Sequence, residues 1–392
     1  MADRRRRILL AVTADMSLRL MQGFPEYLVT RGWDVHVVSS PGPLLDELSS
    51  ADGVTTHGIT MAREPSPVED LRALAAWVRL LRRVRPSLLS VGTPKAGLLG
   101  GIAGLLTRVP HRVYLLRGLR LESFSGPRRM VLALLEKFAS SCAHRILAVS
   151  HSLRNRATAL KLMPPEKIVV LGAGSSNGVE SALYSRERFA DADLARMSKA
   201  LGLVPGIPVV GFVGRLTKDK GLEVLAETRA ILERKKVDYQ LLIVGGIDDS
   251  DGARILDAVC STGRPALVSG QVDNPELYYQ LMDILCLPTL REGFPNVVLE
   301  AAAAGVPTVT TTATGAIDSV IHGETGLIAT VGSAESLSDQ LALLLRDSEL
   351  RSTMGANATL RVKNCFERTA VWGLTDSFYN DLTANERFKG NS

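Results

Sequence analysis

Aromatic residues are scarce, at 5% of the chain, which leaves too few rings for a stacking platform along single-stranded nucleic acid. Cysteine is scarce too. Cys142, Cys260, Cys286 and Cys365 lie far apart, with no C-x-x-C pair and no histidine at metal-ligand spacing. A disulfide scaffold and a structural zinc site are therefore excluded, and three of the four read as small hydrophobes inside apolar or helical patterns. A reducing cytoplasm is the expected compartment. No hydrophobic run is long: Ala96 to Leu106, glycine-rich and bounded by Lys95 and Arg108, falls well short of the ~20 residues a membrane span needs. Ile8 to Val12 follows an arginine-rich start but is too short for a signal-peptide core, so it reads as a buried first strand. The dinucleotide fingerprint G-x-G-x-x-G is missing after Ile8–Val12 and after Val209–Val213, against a nicotinamide-dependent oxidoreductase. Asp248-Asp249-Ser250-Asp251-Gly252 lacks the glutamate that would complete a calcium loop. The six histidines are scattered; His36 and His57 sit in strand patterns, where a satisfied core role is the expectation.

What is present is length, charge asymmetry and alternation. A chain of 392 residues suits two domains. Residues 1–150 carry 21 Lys and Arg against 12 Asp and Glu, whereas the remainder carries 25 against 29. Between Arg108 and Arg145 there are eight basic residues and two acidic ones. Such a half suits a peripheral contact with anionic lipid or a diphosphate-bearing acceptor; a solvated helix face is the alternative. Apolar β-rich runs alternate with helical patterns almost from end to end, the mark of α/β layers with parallel sheets. Strands are expected at Ile8–Val12, Val35–Ser39, Val54–Ile59, Leu88–Val91, Val113–Leu116, Ile146–Val149 and Ile168–Leu171. A second series comprises Val209–Val213, Gln240–Val244, Ala266–Ser269, Ile284–Leu287 and Thr308–Thr310. Helices are expected over Leu71–Arg83, Arg128–Ala143 and much of the tail from Glu335. The reading is two doubly wound domains facing a cleft: an acceptor-binding domain 1–175, a linker 176–208, a nucleotide-binding domain 209–365, and a C-terminal helix 366–392 packing back on the first domain.

Two segments of the second half carry chemistry. From Ile284 a buried strand runs to Pro288-Thr289, and Pro295 is placed as the first residue of a helix that ends at Gly305. Its N-terminus offers free N–H groups and the positive end of the dipole to a phosphate. Glu292 lies just before the helix and Glu300 about a turn inside it, so the two carboxylates can hold different polyol parts of one ligand. Taken alone, they read equally as a dipole partner and a solvent-facing acid. The second segment, Phe212-Val213-Gly214-Arg215-Leu216-Thr217-Lys218-Asp219-Lys220-Gly221, sets two cations, Arg215 and Lys220, at a strand-to-helix turn suited to a diphosphate.

Together these segments resemble the C-terminal half of glycosyltransferase family 4, whose fold is GT-B. The likeness rests on Gly214-Arg215…Lys220-Gly221, on Glu292…Glu300, and on Gly323-Glu324-Thr325-Gly326-Leu327. It extends to Ser269-Gly270-Gln271-Val272, to Ala143–Ser152 and to Ser175–Val179. Arg117-Gly118-Leu119-Arg120 and Thr314–Val320 are similar to the family's bacterial capsule, exopolysaccharide and glycan-assembly members. The resemblance implies retaining, metal-independent transfer from a UDP-sugar, an N-acetylhexosamine being one candidate, to a lipid-linked saccharide. It implies that Arg215 and Lys220 neutralise the departing diphosphate, aided by the backbone N–H groups of Phe294, Asn296 and Val297 at a helix start that Pro295, itself without an N–H, opens, with Gly214 in the same phosphate loop. Glu300 would take the ribose hydroxyls, Glu292 hydroxyls of the donor sugar, and Val272 the base through its backbone. Neither a cofactor nor a metal is expected, and nucleic acid is not an expected partner. The chain departs from the family twice. Thr13-Ala14-Asp15-Met16-Ser17 stands where many members have a Gly-Gly pair, and Arg117 where many have a histidine. Asp15 and Arg117 are therefore candidates for contacts to acceptor or donor, Arg117 equally for a structural ion pair. Transfer to a soluble acceptor (an aminocyclitol, thiol precursor or antibiotic core) and an inactive nucleotide-sugar-binding scaffold are the competing readings.

Overall fold

A computed structural model describes residues 6–62, 66–247 and 250–384. The chain divides into two compact units, Met1–Asn177 with Ala370–Ser392, and Gly178–Thr369.

The first unit is built on a parallel sheet of β1 (Arg6–Ala11), β2 (Trp33–Ser39), β3 (Val54–Gly58), β4 (Leu88–Gly92), β5 (His111–Leu116), β6 (Arg145–Ala148) and β7 (Ile168–Val169). Their spatial order is β3-β2-β1-β4-β5-β6-β7. The second unit's sheet comprises β8 (Val209–Val213), β9 (Gln240–Val244), β10 (Leu267–Gly270), β11 (Ile284–Cys286), β12 (Thr308–Thr311) and β13 (Gly326–Ala329). The order is β10-β9-β8-β11-β12-β13, again all parallel. Helices cover the faces of both sheets, so central strands such as β4, β8 and β9 are buried at every position and read as continuous apolar runs. In each sheet the strand order reverses beside the first strand, between β1 and β4 and between β8 and β11. Loops leaving the carboxyl ends of those two strands diverge there and open a crevice.

Twelve of these strands coincide, within two or three residues, with runs expected from the sequence; β13 does not. It is four residues long, begins on a glycine, and gains its place only by pairing with β12. The segment 176–208, expected as a linker, differs more. From Gly178 onward it folds with the second unit. Val179 exchanges backbone hydrogen bonds with Phe366 and Arg368, and Asp191–Leu201 is helical, with two acids in its first turn and Gly202 left-handed at its end. Those capping signals were legible, but the charge of the segment masked them.

The last helix, Arg368–Ala384, lies in the first unit from Ala370 on. Trp33 donates its indole N–H to the buried carboxylate of Asp376 at 2.8 Å, Arg31 approaches the other oxygen at 3.2 Å, and Tyr379 bonds Ser90 at 2.8 Å. The residues 385–392, part of the expected C-terminal helix, lie outside the described residues, as do Arg4, Arg5, Asp248 and Asp249.

Helix Gly126–Ser141 seats on helix Pro94–Leu106 through an unusual inner face of small and polar groups, Glu136, Ala139 and Ser140. Tyr114 donates to Glu136 at 2.7 Å. Burial raises the Glu136 carboxyl to about 7, with the Tyr114 hydrogen bond acting in the opposite sense. The folded state thus keeps a proton that the unfolded chain has lost between about pH 4.5 and 7. Stability of this unit should fall as pH rises across that window and level off above it. Glu136→Gln should flatten the dependence and stabilise the unit at pH 8 by about 3 kcal/mol. Tryptophan fluorescence during urea unfolding reads this unit selectively, because Trp33, Trp77 and Trp372 are the chain's only three tryptophans and all belong to it.

Candidate active site

The crevice of the second unit is framed by the loops after β8 and β11. Past β8 the chain turns at Gly214, is tied to the loop after β9 by the Leu216 N–H to Gly246 carbonyl bond, and makes one 3-10 turn over Lys218–Lys220. Gly221 then starts helix Leu222–Arg234 in the left-handed region, at φ 74°. A β-carbon there would stand 1.8 Å from the carbonyl oxygen of Pro288, so only glycine lets the two loops touch. The loops are stitched together at that point. Leu290 N–H donates to the Asp219 carbonyl at 2.9 Å, and Thr289 Oγ1 lies 3.1 Å from the same oxygen. Arg291 pairs with the Asp219 carboxylate at 3.1 Å.

That stitching sets Lys220 against Glu292. The ammonium contacts Glu292 Oε1 directly, and Thr289 Oγ1 lies 3.4 Å from the same atom. Both side chains are mostly buried, at 18% and 13% exposure, whereas Arg215 is exposed on the same turn. Burial raises the pKa of Asp219, but the Thr217 hydroxyl at 2.6 Å and the charges of Arg291, Lys220 and Arg215 outweigh it and leave the carboxyl below its usual range. The cluster therefore sets Arg291, Lys220 and Arg215 about the carboxyl groups of Asp219 and Glu292.

Glu292 is fixed from behind as well. Its N–H donates to the Thr314 carbonyl at 2.8 Å, and Gly315 (φ 78°) packs so closely that a β-carbon would lie 2.3 Å from the Gly293 carbonyl oxygen. Phe294 is buried against Phe366, ring centroids 5.4 Å apart, so its side chain anchors the loop and only its backbone can face a ligand. Pro295, expected as the first helical residue, is instead the N-cap, and helix Asn296–Ala303 begins one residue later without a side-chain cap. The side-chain oxygen of Asn296 is buried without a hydrogen-bond partner.

Glu300 is not solvent-facing. Tyr279 donates to its Oε2 at 2.7 Å, and Tyr184 meets the Tyr279 ring edge-on at 5.7 Å. Burial pushes the Glu300 carboxyl up, and the Tyr279 hydrogen bond partly restrains it. One carboxylate oxygen is thus held by a tyrosine. Val272 lies two residues past β10, half-buried, at the same carboxyl-end side of the sheet. The second unit accordingly brings Gly214, Arg215, Lys220, Glu292, the helix start Phe294–Val297, Glu300 and Val272 to one end of its sheet. Sequence reading missed Asp219, Thr289 and Tyr279. Asp219 stood in view between two lysines; Tyr279 gave no signal, because 21 residues separate it from Glu300.

The first unit uses its two candidates differently. Asp15 caps a helix: its carboxylate accepts the N–H groups of Leu45 at 2.8 Å and Leu44 at 3.2 Å, at the start of helix Pro43–Leu48. Its oxygens are engaged by backbone, a use that competes with the expected acceptor contact. Thr13, in the segment where a Gly-Gly pair is absent, bonds Thr93 Oγ1 at 2.7 Å and accepts the Ala96 N–H at 3.0 Å. Arg117 follows β5 and is no surface ion-pair partner. It donates to the Leu20 carbonyl at 3.2 Å, and its Nε is buried with no hydrogen-bond partner. It lines a cavity of about 40 Å³ with Ser176, Asn177 and Tyr379. Burial lowers its guanidinium to about 10.

Comparison with known proteins agrees with this architecture. Residues 195–361 match the family model described as glycosyl transferases group 1, and residues 21–174 match the glycosyl transferase 4-like domain. A capsular polysaccharide biosynthesis glycosyltransferase, CapM of Staphylococcus aureus, is 38% identical over 94% of this chain and 95% of its own. The UDP-Gal:alpha-D-GlcNAc-diphosphoundecaprenol alpha-1,3-galactosyltransferase of Escherichia coli is 26% identical over 92% of each. Among solved structures, Anabaena Alr3699/HepE in complex with UDP and glucose superposes with a TM-score of 0.78 at 19% identity, covering 96% of this chain and all of that one, which speaks to fold alone. With a relative this similar along nearly its whole length, and family models meeting both units, the chain belongs to glycosyltransferase family 4 and is a transferase of the GT-B fold.

Proposed function

We propose that this enzyme moves a sugar from a UDP-sugar to a lipid-linked saccharide during polysaccharide assembly, with retention of configuration and without a metal. The observation that carries the reading is the Lys220–Glu292 pair, set beside an uncapped helix N-terminus and the exposed Arg215. Support for the acceptor and the donor comes from the names of relatives: one builds capsular polysaccharide, and another takes UDP-Gal to a diphosphoundecaprenol-linked sugar.

In this reading the bond from the anomeric carbon to the donor phosphate breaks as a new bond forms to the acceptor oxygen on the same face. The acceptor proton passes to the departing phosphate oxygen, so no protein base is required. The negative charge that grows on the diphosphate is met by Lys220, Arg215 and the N–H groups at the start of helix Asn296–Ala303, which supply the role a divalent cation would otherwise fill. Glu292, one oxygen held by Lys220, presents the other to a donor-sugar hydroxyl. Glu300, steadied by Tyr279, accepts ribose hydroxyls, and its raised affinity for protons is relieved once those donors arrive.

UDP release from a cognate UDP-sugar should persist undiminished in EDTA; loss of turnover on chelation, restored by magnesium or manganese, overturns the metal-free mechanism. Lys220→Ala and Glu292→Ala should each lower kcat/KM roughly 100- to 1,000-fold. Because the two groups act as a pair, the double variant should fall little further than either single one. Full turnover in either single variant removes the site assignment.

A further inference from the structure

Helix Gly126–Ser141 is turned inside out. Its inner face carries Glu136, Ala139 and Ser140, all buried, while Met130, Val131, Leu134, Leu135 and Phe138 stand outward at 38–63% exposure. At helical spacing those five side chains form one stripe, spanning roughly 140° of the helix surface. An ordinary helix on a soluble α/β sheet does the reverse, because its large apolar groups are what drive it onto the core. Here the seat is supplied instead by small residues and by the Tyr114–Glu136 hydrogen bond against helix Pro94–Leu106, whose Gly101 leaves a β-carbon position only 3.2 Å from Cys142 Cβ.

Charge flanks the stripe. On the helical wheel Arg128 and Lys137 fall at its two edges, and both are exposed. Arg128 is further set in place over the Phe124 ring, 4.0 Å from its centroid. The helix holds one carboxylate, Glu136, and that one points inward. An apolar stripe with a cation at each edge and no outward acid is complementary to a layer with anionic headgroups over hydrocarbon. Long basic side chains at the edges reach the headgroups while the stripe enters the acyl boundary. A second protein surface would need acids at its rim and a matching apolar patch. Among the described residues no helix is long and apolar enough to cross a membrane, so such a contact would lie on the surface.

We propose that the outward face of helix Gly126–Ser141 docks this enzyme in-plane on an anionic lipid bilayer. The inference deepens the lipid-linked-acceptor reading, since it brings the first unit to the surface where such an acceptor resides, but its test needs no turnover. Full-length protein is sedimented with vesicles of equal parts phosphatidylglycerol and phosphatidylcholine, and with vesicles of phosphatidylcholine alone. The expected result is binding to the anionic vesicles, weakened by high salt, with much weaker binding to the neutral ones. Leu134→Ser with Phe138→Ser should weaken binding by roughly tenfold or more. Arg128→Glu with Lys137→Glu should weaken it at least fivefold for each charge removed, roughly, at low salt. Since all four side chains are exposed, unchanged thermal midpoints are expected and confirm that the variants fold. UDP release is measured on the same samples, so loss of turnover with intact vesicle binding counts against the transferase reading alone. Absence of binding to the anionic vesicles, or unchanged binding of Leu134→Ser/Phe138→Ser, overturns the docking. So does a wild-type dimer that this variant converts to a monomer while neither form binds lipid, which would assign the stripe to a second copy of the chain.

Discussion

The second unit's site depends on one ion pair between two loops. Lys220 leaves the turn after β8, Glu292 leaves the loop after β11, and the sheet's change of direction between those strands is what sets the loops side by side. Leaving either side chain without the other would bury a charge with no partner, which costs more than the pair does. Together, at 18% and 13% exposure, they hold an ammonium and a carboxylate at the same place. Everything near them serves that pairing: Gly221 and Gly315 allow the backbones to approach, and Thr289 and Asp219 tie the loops at their base. An incoming diphosphate adds negative charge beside Lys220 and Arg215 and so trades a protein carboxylate for a ligand anion with little reorganisation.

The first unit shares the sheet topology and fills its crevice differently. Thr13 and Thr93 close the position between β1 and β4 with hydroxyl-to-hydroxyl and hydroxyl-to-amide bonds, and Asp15 is turned back onto the start of helix Pro43–Leu48. Replacing flexible glycines by a capped threonine exchanges an open anion-binding loop for a fixed wall. Polar capacity in this unit is left instead near Arg117 and Ser176, each with a buried atom lacking a hydrogen-bond partner beside the same small cavity.

Helix Gly126–Ser141 shows how a local rule can be reversed at low cost. Its periodicity identified a helix correctly, but Leu134 and Phe138 face outward. Gly101 of Pro94–Leu106 lets the two helices approach so closely that a β-carbon there would stand 3.2 Å from Cys142 Cβ, which leaves no room for large side chains between them, so the small face goes in and the large face goes out. The buried Glu136, raised toward neutrality and bonded to Tyr114, is the cost of that choice and a marker of it.

From the sequence alone came the α/β class, twelve of the thirteen strands among the described residues, and Arg215, Lys220, Glu292 and Glu300, which the fold sets at one end of the second sheet, though not Asp219, Thr289 or Tyr279 beside them. Parallel strands buried on both faces write themselves as short apolar runs, and the loop residues lie within a few positions of strand ends, so local pattern suffices. Other features were decided only in three dimensions. Gly178–Pro208 joined the second unit through backbone bonds to Phe366 and Arg368, nearly 190 residues away in the chain. Tyr279 became the partner of Glu300, Asp15 became a helix cap, and Arg117 turned inward. Each of these depends on which surface a side chain meets after the sheets have formed. A polar residue's role follows from the nearest unsatisfied group in space, and sequence separation carries no record of that.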